Sequence, residues 1–155
     1  MQLVRPYLFE FSVPVKGRWV GHTVLDLFAN EFPYYSREYY HNKIQKGWIT
    51  VNARSVRPDE VLRMGQKVGH LLHRHEQPVL DMPITVVRQT AEYVVVNKPP
   101  SIPVHPCGRF RKNTLLHILE VTHGLHGLHS VHRLDRLTSG LVMFGRTQAE
   151  AVRIG

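Results

Sequence analysis

The segment EQPVLDMP, residues 76–83, constrains the fold most strongly because it separates two dissimilar parts of the chain. It holds two prolines and no helical periodicity, and proline interrupts both helices and sheet ladders. Short helical and strand patterns alternate in residues 17–75, whereas valine-rich runs open residues 84–155. The sequence therefore predicts an α+β protein with one unit at 17–75, a linker at 76–83 and a second unit at 84–155.

The first unit is predicted to contain two helices followed by a hairpin. Apolar residues recur at helical spacing in HTVLDLFANEF (22–32), and SREYYHNKIQKG (36–47) opens on an N-capping serine and ends on glycine. WITVNARSV (48–56) alternates like a strand that turns at Asn52, and a further strand is predicted near residues 67–73. This order predicts one small αα-β-hairpin unit.

The second unit is predicted to begin with two strands and to continue with alternating helices and strands. PITVVRQT and AEYVVVNKPP (83–100) are valine-rich runs around a polar turn, and the closing prolines end the second strand. KNTLLHILEV (112–121) predicts a helix with Asn113 as its N-cap, and SGLVMFGRT (139–147) predicts a buried strand. A capping box, TQAE, then predicts a helix that begins at Thr147.

Charge and composition restrict the class of partner. The 155 residues carry 20 Lys and Arg against 12 Asp and Glu, a formal charge of +8 that favours polyanions, nucleic acid first. No apolar run approaches the roughly 20 residues that span a bilayer, and the N-terminal residues lack the pattern of a secretory signal. A single cysteine, Cys107, fits a reducing compartment. We therefore expect an intracellular protein without membrane partners.

Basic residues concentrate in the second predicted helix and the hairpin that follows it. Lys and Arg side chains contact phosphates, and aromatic rings stack on unpaired bases. Tyr39 and Tyr40 interleave with the basic residues, whereas Trp48 is expected in the core of the unit. The candidate RNA-binding residues of this unit are Arg37, Lys43, Lys46, Asn52 and Arg54.

The stretch SREYYHNKIQKGWITVNARSVRPDEVLRMGQKV, which covers most of residues 17–75, resembles the S4 RNA-binding domain. That family runs two helices into a hairpin and then into a further strand. Ala53 and Gln66 depart from its pattern, at the turn and at the entry to the last strand. The resemblance implies an S4-like RNA-binding domain at residues 17–75.

The stretch SVHRLDRLTSGLVMFGRT (130–147) places Asp135 between Arg133 and Arg136, directly before an apolar strand. The part HRLDRLTSG resembles motif II of the RluA-type pseudouridine synthases. YVVVNKPPSIPVHP (93–106) resembles the first motif of the same family, and SIPVHPCGRFRKNT is most similar to its eukaryotic members. Two motifs in the family's order, preceded by an S4-like unit, make a specific resemblance that covers about residues 20–155.

The resemblance implies that uridine in RNA is isomerised to pseudouridine without a cofactor. Asp135 occupies the position of the catalytic aspartate, and it is expected to act by attacking C1′ or C6 or by removing the C2′ proton. Neighbouring cations are expected to keep it ionised. Arg133 occupies the position that fills the space left by a flipped uridine. His132 and Arg136 are further candidate RNA contacts, although bracing of the loop is the better interpretation for Arg136 and Thr138.

Family members also supply a tyrosine and a basic partner for the aspartate from strands after motif II. Residues 84–155 are therefore expected to form only the N-terminal portion of a mixed-sheet catalytic domain, with little activity alone. The alternative is a non-catalytic RNA-binding module. The resemblance is compatible with transfer, ribosomal or messenger RNA as partner, with the cytoplasm, nucleus or mitochondrion as compartment, and with a monomer.

The sequence does not predict two other kinds of site, a metal site and a hydrolase triad. The chain has eleven histidines, including His70, His73 and His75, but only one cysteine and no helical HExxH pattern, so we expect no obligatory metal. Ser139 is close in sequence to His132 and Asp135, whereas the members of a hydrolase triad converge from distant segments. The sequence thus favours RNA chemistry over hydrolysis.

Overall fold

The computed structural model describes residues 1–155 and shows two compact α+β units. Unit A is Tyr7–Arg74, and unit B comprises Met1–Pro6 with His75–Gly155. None of the helices is both long and apolar enough to cross a bilayer. The elements are β1 (Tyr7–Pro14), α1 (Val24–Glu31), α2 (Arg37–Gln45), β2 (Ile49–Val51), β3 (Arg54–Ser55), β4 (Lys67–Arg74), β5 (Thr85–Gln89), β6 (Tyr93–Lys98), α3 (Leu115–His123), β7 (His129–Ser130), β8 (Gly140–Gly145) and α4 (Gln148–Ile154).

The sheet of unit A is antiparallel and has the strand order β1-β4-β2-β3. Strand β1 pairs with β4 along its whole length, from Tyr7 opposite Arg74 to Pro14 opposite Lys67. The sequence-based boundary at residue 17 missed this strand. Phe9 and Phe11 alternate with exposed positions, which is the period-2 pattern of a half-buried strand and could have revealed it.

The two helices of unit A begin where the sequence predicts them. The Thr23 hydroxyl accepts a hydrogen bond from the Asp26 amide at the start of α1, and Ser36 accepts one from the Tyr39 amide at the start of α2. Each cap satisfies an amide that has no partner within the helix. The apolar faces of these helices and of the sheet form the core of the unit, which includes Leu27, Phe28, Tyr40, Ile44, Ile49, Val51 and Val68.

The hairpin of unit A turns at Asn52 and Ala53, as predicted. Both residues have positive φ values, 49° and 60°, which a two-residue turn of this hand requires and which alanine adopts only at a cost of about 1 kcal/mol. The Asn52 amide donates to the carbonyl oxygen of Lys67, and the Asn52 side-chain oxygen accepts from the Lys67 amide. The Asn52 side chain therefore stabilises the turn.

The sheet of unit B is also antiparallel, in the order β5-β6-β8-β7. Alternate residues of its central strands, Val94 and Val96 on β6 with Val142 and Phe144 on β8, are fully buried in one core. Helix α3 contributes Leu115, Ile118 and Leu119 to the same core. The sheet thereby fixes the ends of β6 and β8, which carry the two motif segments.

Residues 76–83, predicted as a linker, lie within unit B, and two of the eight are buried. Val79 is 1% exposed and exchanges two backbone hydrogen bonds with Gln2, of 2.9 and 3.2 Å. Glu76 is also buried. The two prolines prevent regular structure here but not burial, because an extended segment can still satisfy its other amides through neighbouring backbone.

The N-cap of α3 is also one residue later than predicted. The Thr114 hydroxyl accepts from the His117 amide, whereas the Asn113 side chain is buried and donates to the carbonyl oxygen of Gln77 at 2.9 Å. Asn113 therefore holds the 76–83 segment instead of capping the helix.

A buried histidine lies at the centre of unit A. His70 on β4 is 5% exposed, and its ring packs against the rings of Phe28, Tyr39 and Tyr40 at centroid distances of 5.6, 6.1 and 5.9 Å. Its Nε2 atom has no hydrogen-bond partner. Burial, together with the charge of Lys43, lowers the pKa of His70 to about 4.

We predict that His70 makes the stability of unit A depend on pH. Because its pKa is lower in the folded protein than in the unfolded chain (about 6.5), its contribution is complete above pH 6.5 and is lost as the pH falls. The loss is about 2 to 3 kcal/mol by pH 4. Urea unfolding followed by tryptophan fluorescence measures it, since Trp19 and Trp48 both lie in unit A. H70L should remove this part of the pH dependence.

The exposed His73 on the same strand provides the control for this prediction. H73L should leave the loss of stability between pH 6.5 and pH 4 in place. An equal loss of stability in the H70L variant and the native chain would contradict the prediction.

Candidate active site

A cleft of about 390 Å³ in unit B is lined by parts of both motif segments. One wall comes from residues 133–136, between β7 and β8, and the other from residues 103–110, between β6 and α3. Gln77 also contributes to the lining. The volume lies within the range of small-ligand sites, so the cleft can accept a single nucleotide base.

Asp135 lies on the wall of this cleft with its side chain exposed. Its carbonyl oxygen accepts from the Thr138 amide at 3.0 Å, so Asp135 is the first residue of a tight turn. The carboxylate forms no salt bridge, although Arg133 and Arg136 line the same cleft. A ligand in the cleft can therefore reach the carboxylate oxygens without first displacing a cation.

The other three candidate residues of this loop have different positions. His132 braces the loop, because its Nε2 atom accepts from the Met143 amide of β8 at 3.2 Å. Arg136 places its guanidinium carbon 5.5 Å from the ring centre of Phe110 across the cleft. Arg133 is exposed and lines the cleft. Arg133 is thus the cation of the loop that is best placed to contact a ligand.

Lys98, at the end of β6, joins the two motif segments. It is fully buried, and its ammonium donates to the carbonyl oxygens of Pro99 at 3.0 Å, Ile102 at 2.8 Å and Arg136 at 3.2 Å. Burial lowers the pKa of Lys98. The ammonium thereby fixes the residue after Asp135 to the end of the first motif.

Lys98 lies in the first motif but was not among the site residues predicted from the sequence. The sequence indicated that Lys98 would be buried, because it follows Val94 and Val96 at alternate positions of the same strand and so faces the core with them. A lysine at an inward position of a buried strand requires several hydrogen-bond acceptors.

A second residue outside the predicted site, Glu76, holds the opposite wall. Its buried carboxylate accepts from three consecutive backbone amides: Arg111 at 3.0 Å, Lys112 at 2.8 Å and Asn113 at 2.9 Å. These amides follow the tight turn between Cys107 and Phe110, two residues that line the cleft and exchange hydrogen bonds of 3.0 and 2.9 Å. Glu76 therefore positions the wall that faces Asp135.

The candidate arginines of unit A are engaged in ion pairs. Arg37 bonds Asp26 at 2.6 Å, and Arg54 bonds Glu60 through both of its terminal nitrogens. Both arginine side chains are more than half exposed, so the pairs are accessible to solvent and weak.

The remaining candidates of unit A lie on α2 and the hairpin. The Lys43 ammonium lies 3.6 Å from the ring centre of Trp48 and 5.3 Å from that of Tyr39, so Trp48 packs at the half-buried margin of the unit. Burial and the charge of Lys46 lower the pKa of Lys43. Lys46 is exposed at the end of α2, and Asn52 stabilises the hairpin turn.

The histidines do not form a metal centre. No group of three or more His, Cys, Asp or Glu side chains is arranged to hold a metal ion. Two histidines contact the same carboxylate: the Glu120 oxygens lie 3.0 Å from Nδ1 of His126 and 3.8 Å from Nδ1 of His117.

Comparison with known proteins shows what most of the cleft-bearing unit is similar to. The family model described as RNA pseudouridylate synthase matches residues 92–155, which include β6, Asp135 and α4. This part of the chain is similar to RNA pseudouridylate synthases. The resemblance to pseudouridine synthases that the two motifs predicted is thereby confirmed.

Relatives of the synthase family align with almost the whole chain. RNA pseudouridine synthase 7 of Oryza sativa subsp. japonica is 50% identical over 96% of the chain and 38% of its own length. Pseudouridylate synthase RPUSD2 of Homo sapiens is 46% identical over 99% of the chain and 28% of its own length. The mitochondrial tRNA pseudouridine(32) synthase of Saccharomyces cerevisiae is 37% identical over 100% of the chain and 33% of its own length. The chain thus spans about a third of the length of these synthases.

We predict that removing the Lys98 ammonium destabilises unit B. Methionine has a similar length but leaves three buried carbonyl groups without a donor, so K98M should lower the free energy of unfolding by about 2 to 4 kcal/mol. Hydrogen exchange at the Val94 and Val142 amides in the two central strands measures this change. Lys112 in the same unit has an exposed side chain, and K112M should change the free energy by less than about 0.5 kcal/mol. Equal effects of the two substitutions would refute the role of Lys98.

We also predict that Glu76 controls the rigidity of the cleft wall. E76Q retains one acceptor oxygen but places a side-chain NH2 group against backbone N–H donors. The Arg111, Lys112 and Asn113 amides should therefore exchange with solvent at least about tenfold faster. A tenfold change in rate corresponds to about 1.4 kcal/mol. Hydrogen exchange detected by mass spectrometry or NMR measures the rates. E120Q, at an exposed glutamate of α3, is the control and should leave them unchanged. Unaltered protection in E76Q would show that the carboxylate does not hold this wall.

Proposed function

We propose that this chain takes part in the isomerisation of uridine to pseudouridine in RNA, with Asp135 as the catalytic carboxylate. The observation that carries the proposal is the position of Asp135, without a salt bridge, on the wall of a base-sized cleft in the part of the chain that matches the synthase family model. Because the chain spans about a third of its relatives' length, the activity is assigned to the protein of which these residues form part.

The reaction breaks the bond between N1 of uracil and C1′ of ribose and forms a bond between C5 and C1′. The proton of C5 is lost and N1 gains one, so the product has the same atoms as the substrate. No electron acceptor and no cofactor is needed to balance the reaction. An ionised Asp135 can assist by attacking C1′, by attacking C6 or by removing the C2′ proton, and each route requires its oxygens to be accessible from the cleft.

A uridine can reach Asp135 only if its base leaves the stack. Arg133, exposed on the same wall, is the residue proposed to occupy the vacated space, since a planar guanidinium stacks on bases and bonds phosphate. Arg136 packs near Phe110 and is better suited to shaping the cleft.

Unit A is proposed to bind the same RNA as an S4-like domain, through Lys43, Lys46 and the neighbouring arginines. The ten Lys and Arg against six Asp and Glu in unit A, together with the exposure of Lys46, support this assignment. The yeast relative is named for transfer RNA and for the mitochondrion, and structured RNA inside the cell is the substrate class proposed here. The protein is expected to act as a monomer without a metal.

The test is a D135N substitution in the chromosomal gene, followed by chemical mapping of pseudouridine in cellular RNA. We expect every site that disappears on deletion of the gene to disappear in D135N as well, because asparagine is neither a nucleophile nor a base at neutral pH. D81N, at an exposed carboxylate outside the cleft of Asp135, should leave these sites modified.

Sites that are lost on deletion but persist in D135N would exclude the catalytic role and favour a non-catalytic RNA-binding module. Binding of labelled RNA by the D135N protein separates chemistry from affinity. We expect that affinity to stay within about twofold of the native value.

A further inference from the structure

Unit A presents a row of aromatic rings on its surface. Tyr34 and Tyr35 lie on the connection between α1 and α2, and Tyr39 lies in the first turn of α2. The rings of Tyr35 and Tyr39 stack at 4.1 Å with an angle of 15° between their planes, and the Tyr34 ring meets Tyr35 edge-on at 4.8 Å. We refer to Tyr34, Tyr35 and Tyr39 as the aromatic ladder.

The core of the unit does not account for the outer part of the ladder. Tyr40, the next residue along α2, is 1% exposed, and its hydroxyl donates to the carbonyl oxygen of Phe32, as expected of a core tyrosine. Tyr34 is 73% exposed and Tyr35 is 38% exposed. Apolar surface of this kind, grouped on one face, marks a binding site more often than scattered exposed residues do.

Cations continue the ladder along the surface of α2. Lys43 lies beside Tyr39 and above Trp48, and Lys46 follows at the end of the helix. Aromatic rings bordered by lysines match a chain that carries both flat bases and phosphates. Lysine is depleted in the interfaces between proteins, which favours a nucleic acid over a protein as the occupant.

We propose that the aromatic ladder is a stacking site for unpaired bases of RNA. The inference rests on the proposed RNA-binding function of unit A and specifies the part of the RNA that is recognised: a single-stranded segment next to a helical one. An unpaired base stacks on the exposed Tyr34 ring, and Lys46 contacts the phosphates that follow. Such stacking accepts any base, so the site recognises single-strandedness and not sequence.

The test compares two fluorescent RNA hairpins that are identical except for an unpaired tail on one of them. Y34A should weaken binding of the chain to the tailed hairpin by about fivefold or more, and should leave binding to the blunt hairpin unchanged. Stacking involves no counterion release, so the salt dependence for the tailed hairpin should not change in Y34A. Y34F keeps the ring and should bind as the native chain does.

Two further variants separate the ladder from the charges. K46E should weaken binding to both hairpins and should flatten the dependence of the logarithm of affinity on the logarithm of salt concentration by about one unit. M64A removes an equally exposed apolar side chain elsewhere in unit A and should bind both hairpins normally. Circular dichroism confirms that each variant is folded.

The possible failures can be told apart. If Y34A binds the tailed hairpin as tightly as the native chain does while K46E binds it weakly, the ladder is not the stacking site but the proposed RNA binding stands. If the native chain binds neither hairpin, the RNA-binding function of unit A is wrong, and the ladder proposal falls with it. If Y34A alters only self-association in sedimentation experiments, the ladder is a protein contact and the proposal is overturned.

Discussion

The three hydrogen bonds of the Lys98 ammonium are the interaction on which the candidate site depends. A cation that is fully buried without a carboxylate is costly, and the structure offsets the cost with carbonyl oxygens of Pro99, Ile102 and Arg136. Two of these carbonyls belong to the segment after β6 and one to the turn that begins at Asp135. A single buried charge thereby joins segments that are 38 residues apart in sequence.

Two carboxylates beside the cleft have opposite environments, and the difference separates their roles. The Glu76 carboxylate is buried and uses its lone pairs on three backbone amides, so it holds a wall and is not available for chemistry. The Asp135 carboxylate is exposed to the cleft and forms no salt bridge. Because a nucleophile or base needs a lone pair directed at its substrate, only Asp135 has the environment of a reactive group.

Local patterns in the sequence were sufficient for the elements that rely on local physics. Ser36 and Thr147 cap their helices as predicted, and the turn at Asn52 lies where the alternation breaks. The features that were missed all depend on distant partners. Strand β1, at the start of unit A, pairs with β4 at its end. The Glu76 carboxylate accepts hydrogen bonds from amides 35 to 37 residues later in the sequence. No window of sequence reveals the partners in such contacts, although the alternation in β1 and the inward register of Lys98 were visible in the sequence.

The charges of unit A also explain why its basic composition need not produce indiscriminate binding. Arg37 and Arg54 already pair with Asp26 and Glu60, so a phosphate must displace a carboxylate before it can bind either arginine. Exposed ion pairs of this kind contribute only about 0 to 1 kcal/mol to stability. A phosphate that can bond the arginine in good geometry offsets the loss of the pair, whereas a poorly oriented phosphate does not. The carboxylates therefore act as competitors that lower non-specific affinity for polyanions. In the RNA binding proposed for unit A, selection among RNAs then depends on contacts that carboxylates cannot mimic, such as the proposed stacking of bases on exposed rings.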